Sequence, residues 1–227
     1  GFNSSRSVSG NNNVALGQNA GTNIKGINNV SIGSMANNFS KTTNVTGVVA
    51  IGNNTETTAG YSVALGINAK ATATGAIALG MGSQAIGEVA VASGYATVAN
   101  TQATAQGSFS KARGVQSVSV GYASKAVGNY AVAQGAYAEG NGIFGTAVGY
   151  GAEANGVRSS AIGVEAVSNG ERSIALGNRA KAETDQSVAL GYNALSDRNA
   201  DVIGYDPSET AVVKGADDAL QLGAEFQ

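Results

Sequence analysis

The chain has 227 residues, a formal net charge of −2, 33 glycines and one proline, and it contains no cysteine, histidine or tryptophan. Without Cys or His it lacks disulfides, thiolates, the commonest metal ligands and most nucleophile–base pairs, and no run of about twenty apolar residues offers a membrane-spanning helix. The apolar share of 43% is carried largely by Ala and Val, so any core is thin and built from small side chains.

In chain order, the first recognisable phrases end at Gly17 and Gly33, and their spacing is irregular. The stretch from Ser34 to Gly47, rich in Asn, Thr and Ser, reads as an insertion loop. From there one phrase returns, as in SVALG at Ser62, SIALG at Ser173 and SVALG at Ser187. Its closing glycines are Gly52, Gly66, Gly80, Gly94, Gly107, Gly121, Gly135, Gly149, Gly163, Gly177, Gly191 and Gly204; nine of the eleven intervals are 14 residues and two are 13. A weaker glycine follows seven residues later, at Gly87, Gly114, Gly128, Gly142, Gly156 and Gly170. Fourteen residues thus divide into a short strand, a glycine-led turn, a second short strand and a second turn. Such a unit is too small to bury anything alone, so units must stack strand on strand into a parallel β-solenoid. The predicted organisation is 1–48 as irregular N-terminal coils with the insertion loop, 49–205 as the regular repeat, and 206–227 as a cap or connector.

Positions within a coil are counted from its closing glycine. Alternation along the strands then assigns faces. Positions −3 and −1 hold bulky pairs such as Val63/Leu65 and Ile77/Leu79, and positions +3 and +5 hold small pairs such as Ala69/Ala71 and Ala152/Ala154. Large against small fills a narrow interior, which places the polar +4 residues (Lys70, Lys111, Lys125, Glu139, Glu153, Lys181) in water. The same reading turns −4 and −2 outward. There the residues are small and uncharged, which marks a flat association strip, and the predicted interface between chains is Ala50, Ala64, Ala78, Ala92, Ala105, Ser119, Ala133, Ala147, Ala161, Ala175 and Ala189. Gln106 and Gln134 at −1 then become buried amides needing hydrogen-bond partners from turn backbone.

The SVALG-xx-A-x-A-x-G pattern, repeated at fourteen from about Val14 to Tyr205, resembles the head of trimeric autotransporter adhesins, the YadA-like group of Gram-negative bacteria. The resemblance implies an all-β fold, a left-handed parallel β-roll assembled as a parallel homotrimer about one axis. It also implies display at the cell surface, beyond the outer membrane, on a stalk. Heads of this group attach cells to collagen, fibronectin, laminin or other host surfaces, or to other bacteria. The heptads of a stalk and a C-terminal anchor are absent and the chain opens at Gly1 without Met, so the sequence reads as a head fragment; DPSETAVVKGADDALQLGAEFQ leaves the repeat.

Two features offer binding. Tyr recurs just after the turn glycine, at Tyr95, Tyr122, Tyr150, Tyr192 and Tyr205; these rings either close the end of the thin core or form a platform for an extended protein ligand. Lys111, Arg113 and Lys125 lie on adjacent coils, as a solvated face or as a patch that steers an acidic partner. Residues 1–138 carry a net +5 and residues 139–227 a net −7, so acidic partners are expected to approach the N-terminal half. The acids show no recurring pair and no calcium-loop density, and glycine-rich GMGSQAIG and GNGIFG sit within solenoid turns. No enzyme activity, cofactor, metal or nucleic-acid partner is expected. The alternative function is a passive structural solenoid. An ice-binding version needs ranks of Thr, and here Thr55, Thr57, Thr58, Thr97, Thr101 and Thr104 are irregular.

Overall fold

The computed structural model describes residues 2–38 and 43–197 and the backbone of the strand Leu220–Leu222. Every regular element among them is a short β-strand, alternately three and two residues long through the regular coils, and these strands pair in parallel. Contacts divide the chain into residues 1–123 and 124–227. In the first unit, the three-residue strands stack in chain order from Val14–Leu16 to Val118–Val120, and the two-residue strands from Glu56–Thr57 to Lys111–Ala112. In the second unit the corresponding stacks run from Val132–Gln134 and from Lys125–Ala126. Identical positions of successive coils are hydrogen-bonded neighbours, as in Ala64↔Ala78 and Ala71↔Ala85. The 13-residue interval is absorbed without loss of register, since Ala92 pairs with Ala105 and Ala99 with Ala112.

The glycine that closes each phrase is required by geometry. Gly66 has φ of 133°, a region that essentially only glycine occupies, and a Cβ there would lie 2.6 Å from the carbonyl of Gly80 on the next coil. The turn that follows puts its second residue in the left-handed region. Asn54, Asn68 and Asn193 take it, as asparagine does readily, but so do Phe109, Tyr137 and Arg179.

The interior corrects the face assignment for the first strand. Ala64 is 0% exposed while Leu65 beside it is 46% exposed. The residues assigned above to contact between chains, Ala50, Ala64, Ala78, Ala92, Ala105, Ser119, Ala133, Ala147, Ala161, Ala175 and Ala189, are all fully buried inside their own chain. They face Ala69, Ala71, Ala85, Ala152 and Ala154 of the second strands, also fully buried, as predicted for those positions. The reason is width. Strands of three and two residues, closed by tight turns at both ends, leave room for little more than a methyl group at each inward position. Val, Ile and Leu at −3 and −1 are therefore driven outward, and Gln106 and Gln134 go with them. Their amides are exposed and need no partner from turn backbone.

Inward hydroxyls are accommodated by the turns. Ser62, Ser83, Ser117, Ser173 and Ser187 each donate to the carbonyl three residues back, at 2.6–2.9 Å. Ser31, Ser110 and Ser159 make no such bond.

The N-terminal coils are wider. Val14 pairs with Val30 and Val30 with Val49, intervals of 16 and 19 residues. The predicted insertion loop contains a strand, Thr43–Asn44, paired with Ile24–Lys25. The extra width is filled by Ile24, Val45 and Val48 and bridged by Asn29, whose amide donates to the Val45 carbonyl at 2.9 Å and accepts from the Val48 N–H at 3.2 Å. At the other end, the phrase ending at Gly204 lies outside the described residues. The place beside Val188–Leu190 is taken by Leu220–Leu222, so these three residues of the tail supply a strand of the same stack. The remainder of 206–227 lies outside the described residues.

Candidate binding surfaces

Three kinds of surface leave the coils. The first is the outward side of the three-residue strands. From Val49 to Leu190 no position −3 or −1 carries a charge, and most hold Val, Ile or Leu. Leu65, Val118, Ile162, Ile174, Leu176 and Leu190 stand 37–46% exposed. Large apolar side chains repeated in register on an outer face mark a surface meant to be covered.

The second is the outward side of the two-residue strands, where charges appear and pair between neighbouring coils. Glu56 meets Lys70 at 3.1 Å and Lys125 meets Glu139 at 2.5 Å. The Lys125 hydrogen bond, offset in part by burial, holds the Glu139 carboxyl below its ordinary range. Lys125 is thus held by a carboxylate. Lys111 is half-buried beside Val98, and Arg113 is exposed. Beside this face runs an amide ladder, Asn141 to Asn155 to Asn169, at 2.8 Å per step. An open groove of about 550 Å³ in the second unit is lined by Glu153, Glu165, Val167, Arg179, Lys181 and Leu195 among others, with Arg179 Nε 2.8 Å from Glu165. Its charges balance, and no group of three or more potential metal-binding acids occurs among the described residues.

The third surface is the turns. Tyr95, Tyr122 and Tyr150 are each about half exposed, at 44, 49 and 53%. The structure does not stack these tyrosines directly. Tyr95 meets Phe109 edge-on at 5.0 Å and Phe109 meets Tyr122 edge-on at 5.8 Å. In the second unit Tyr137 meets Tyr150 edge-on at 5.8 Å. At the opposite turn Tyr130 stacks flat on Phe144 at 4.8 Å, with the Arg158 guanidinium 5.9 Å from the Phe144 ring. Phe109, Tyr137, Tyr130 and Phe144 were missed by reading position +1 alone. The signal was present one residue later, at +2, and at the left-handed residue of the second turn. Tyr205 lies outside the described residues.

No curated protein matches the chain in sequence. The YadA head domain repeat (2 copies) matches residues 49–66, 58–83, 100–124, 112–138, 141–166 and 168–194. These spans cover more than half of the chain and coincide with coils whose glycines, alanines and outward aliphatic pairs have just been located. The chain belongs to the YadA head family, as a YadA-like head of a trimeric autotransporter adhesin.

Proposed function

We propose that three copies of this chain pack side by side through the outward aliphatic face of the three-residue strands, and that the assembly is a bacterial surface adhesin. The observation that carries this reading is the divided exterior. In each unit the outer face of the three-residue strands is mostly aliphatic and carries no charge, while the outer face of the two-residue strands is charged, with Glu56, Lys70 and Lys111 in the first unit and Lys125, Glu139, Glu153 and Lys181 in the second. Covering the first face with identical chains removes it from water and leaves the charged sheet, the amide ladder and the aromatic turns for a ligand.

The family implies an adhesin-type function displayed outside the cell. The ligand class we infer is an extracellular-matrix protein of the collagen, fibronectin or laminin kind, or the surface of another cell. A repeated surface presents the same modest contact on many coils and on three chains, so avidity replaces a deep pocket. Half-exposed aromatics such as Tyr95, Phe109 and Tyr122 provide apolar contact, and Lys111 and Arg113 provide positive charge for an acidic partner.

The test is to immobilise the protein and measure binding of matrix proteins and whole cells at low and high salt. Binding weakened by salt supports a steered, charge-assisted contact. Binding indifferent to salt and lost in Tyr95→Ser/Phe109→Ser/Tyr122→Ser assigns adhesion to the aromatic turn. Absence of binding at either salt leaves a spacer role for this segment.

A further inference from the structure

The outward aliphatic columns are interrupted at a few places. In the first unit the pairs Val91↔Thr104 and Ser93↔Gln106 break them, with the Gln106 amide exposed. In the second unit Val132 pairs with Thr146, and Gln134, also exposed, pairs with Val148. Before these breaks the columns are monotonous, with Val49, Val63 and Ile77 in one and Ile51, Leu65 and Leu79 in the next; after them Ser160 interrupts one column once more, between Thr146 and Ile174.

Monotony creates a problem of register. Sliding one chain along its neighbour by a single coil, about 4.8 Å, brings Leu65 to the level of Leu79 and Val63 to the level of Ile77. Apolar burial is nearly unchanged by such a slide, so the aliphatic residues cannot specify which coil faces which. Polar residues at a covered apolar seam can, because an amide that loses its partner is destabilising whereas one aliphatic contact replaces another.

We propose that Gln106 and Gln134 fix the axial register between copies of this chain; the proposal rests on the packing through the aliphatic face inferred above. In register, each glutamine meets its counterparts on the other two copies, and each amide can both donate and accept. A slide of one coil places Gln106 at the level of Val120 or Ser93, and Gln134 at that of Val148. Opposite valine, neither the amide N–H groups nor the carbonyl finds a partner. An equal slide at all three contacts cannot close a ring and yields an open, staggered assembly, while one displaced chain yields an asymmetric trimer. The two glutamines act against both.

The test compares the unmodified chain with Gln106→Leu/Gln134→Leu by sedimentation and by methyl NMR of isoleucine-labelled protein. Leucine already occupies these outward positions at Leu65 and Leu176, so the variant retains the fold. The unmodified chain is expected to sediment as a trimer with one δ1-methyl peak per isoleucine. The double leucine variant is expected to split the peaks of Ile77, Ile162 and Ile174 and to form species heavier than a trimer. Gln106→Asn/Gln134→Asn, which keeps the amides, is expected to restore single peaks. A double leucine variant that stays a trimer with single peaks overturns the register role and leaves the packing reading intact. An unmodified chain that sediments as a monomer overturns both.

Discussion

The two strands of each coil share one interior and differ in what they turn outward. Both present small side chains inward, as Ala78 and Ala85 do, each 0% exposed. Outward, the first strand shows Val, Ile and Leu, whereas the second shows Lys, Glu, Gln and an occasional Val. Neither face bears on folding of the single coil in the same way. The interior sets what can fit, and the exterior sets what the coil can be packed against. A solenoid this narrow cannot place its large apolar residues inside, so the burial of Val, Ile and Leu is left to the contact between copies proposed above, while the alanine interior holds the single chain.

The sharpest way to break that comparison is to exchange the volumes. Ala175→Leu puts a branched side chain where only a methyl fits, and overpacking of this kind costs about 3 kcal/mol. The neighbouring Leu176→Ala, on the outward side, leaves the interior untouched and should cost less, its loss falling on the contact between copies. Urea denaturation of the two variants checks the contrast, and equal midpoints would contradict the inward placement of Ala175.

Gly66→Ala tests the close approach between coils. With φ at 133° and the Gly80 carbonyl in the way, the substitution should lower stability by about 2–3 kcal/mol, measured in the same way. Asn29→Ala addresses the wider N-terminal coils. It leaves the Val48 N–H and the Val45 carbonyl without their bridge, an expected loss of about 1–3 kcal/mol. In the narrow coils no asparagine of this kind is needed, because the backbone ladders close directly.

Val89 offers a gain. It holds φ of 53°, a conformation that β-branched residues avoid, and the residue is 63% exposed. Val89→Asn should therefore raise stability by about 1 kcal/mol, visible as a higher melting temperature.

The smallest effect belongs to the charged face. The Glu139 carboxyl is held low by Lys125, so this group contributes stability above its unfolded pKa of about 4.3. The contribution is lost as pH falls through the lower folded value. For an exposed pair it amounts to about 0.2–1 kcal/mol. Stability measured from pH 7 down to acid should show a shallower decline in Glu139→Gln than in the unmodified chain, and identical slopes would remove the pair from the account.

The period, the glycine column and the inward side of the second strand were legible in the sequence because each follows from spacing alone. The first strand was not, since alternation of period two admits two solutions that differ by one residue and exchange the faces completely. Assuming that large residues fill interiors selected the wrong one. A better discriminator was within the sequence: position −2 is alanine in nearly every coil, while −1 passes from Leu65 to Ser93 to Gln106. Interiors tolerate changes of volume poorly, so the position of constant size is the inner one. The aromatic turns were half legible. Tyr95 and Tyr122 repeat in register, but Phe109, which joins them, sits one residue later at a left-handed position where an aromatic is not expected from turn preferences.

The central claim is that the outward aliphatic face, and no other, is where copies of the chain meet. Sedimentation equilibrium of the unmodified chain beside Leu176→Lys/Leu190→Lys, with circular dichroism of both, tests it most directly. The account predicts a trimer for the first and a folded monomer for the second, since lysine at these exposed positions leaves the alanine interior untouched. A folded variant that remains trimeric, or an unmodified chain that is monomeric with Leu65, Leu176 and Leu190 in water, contradicts it.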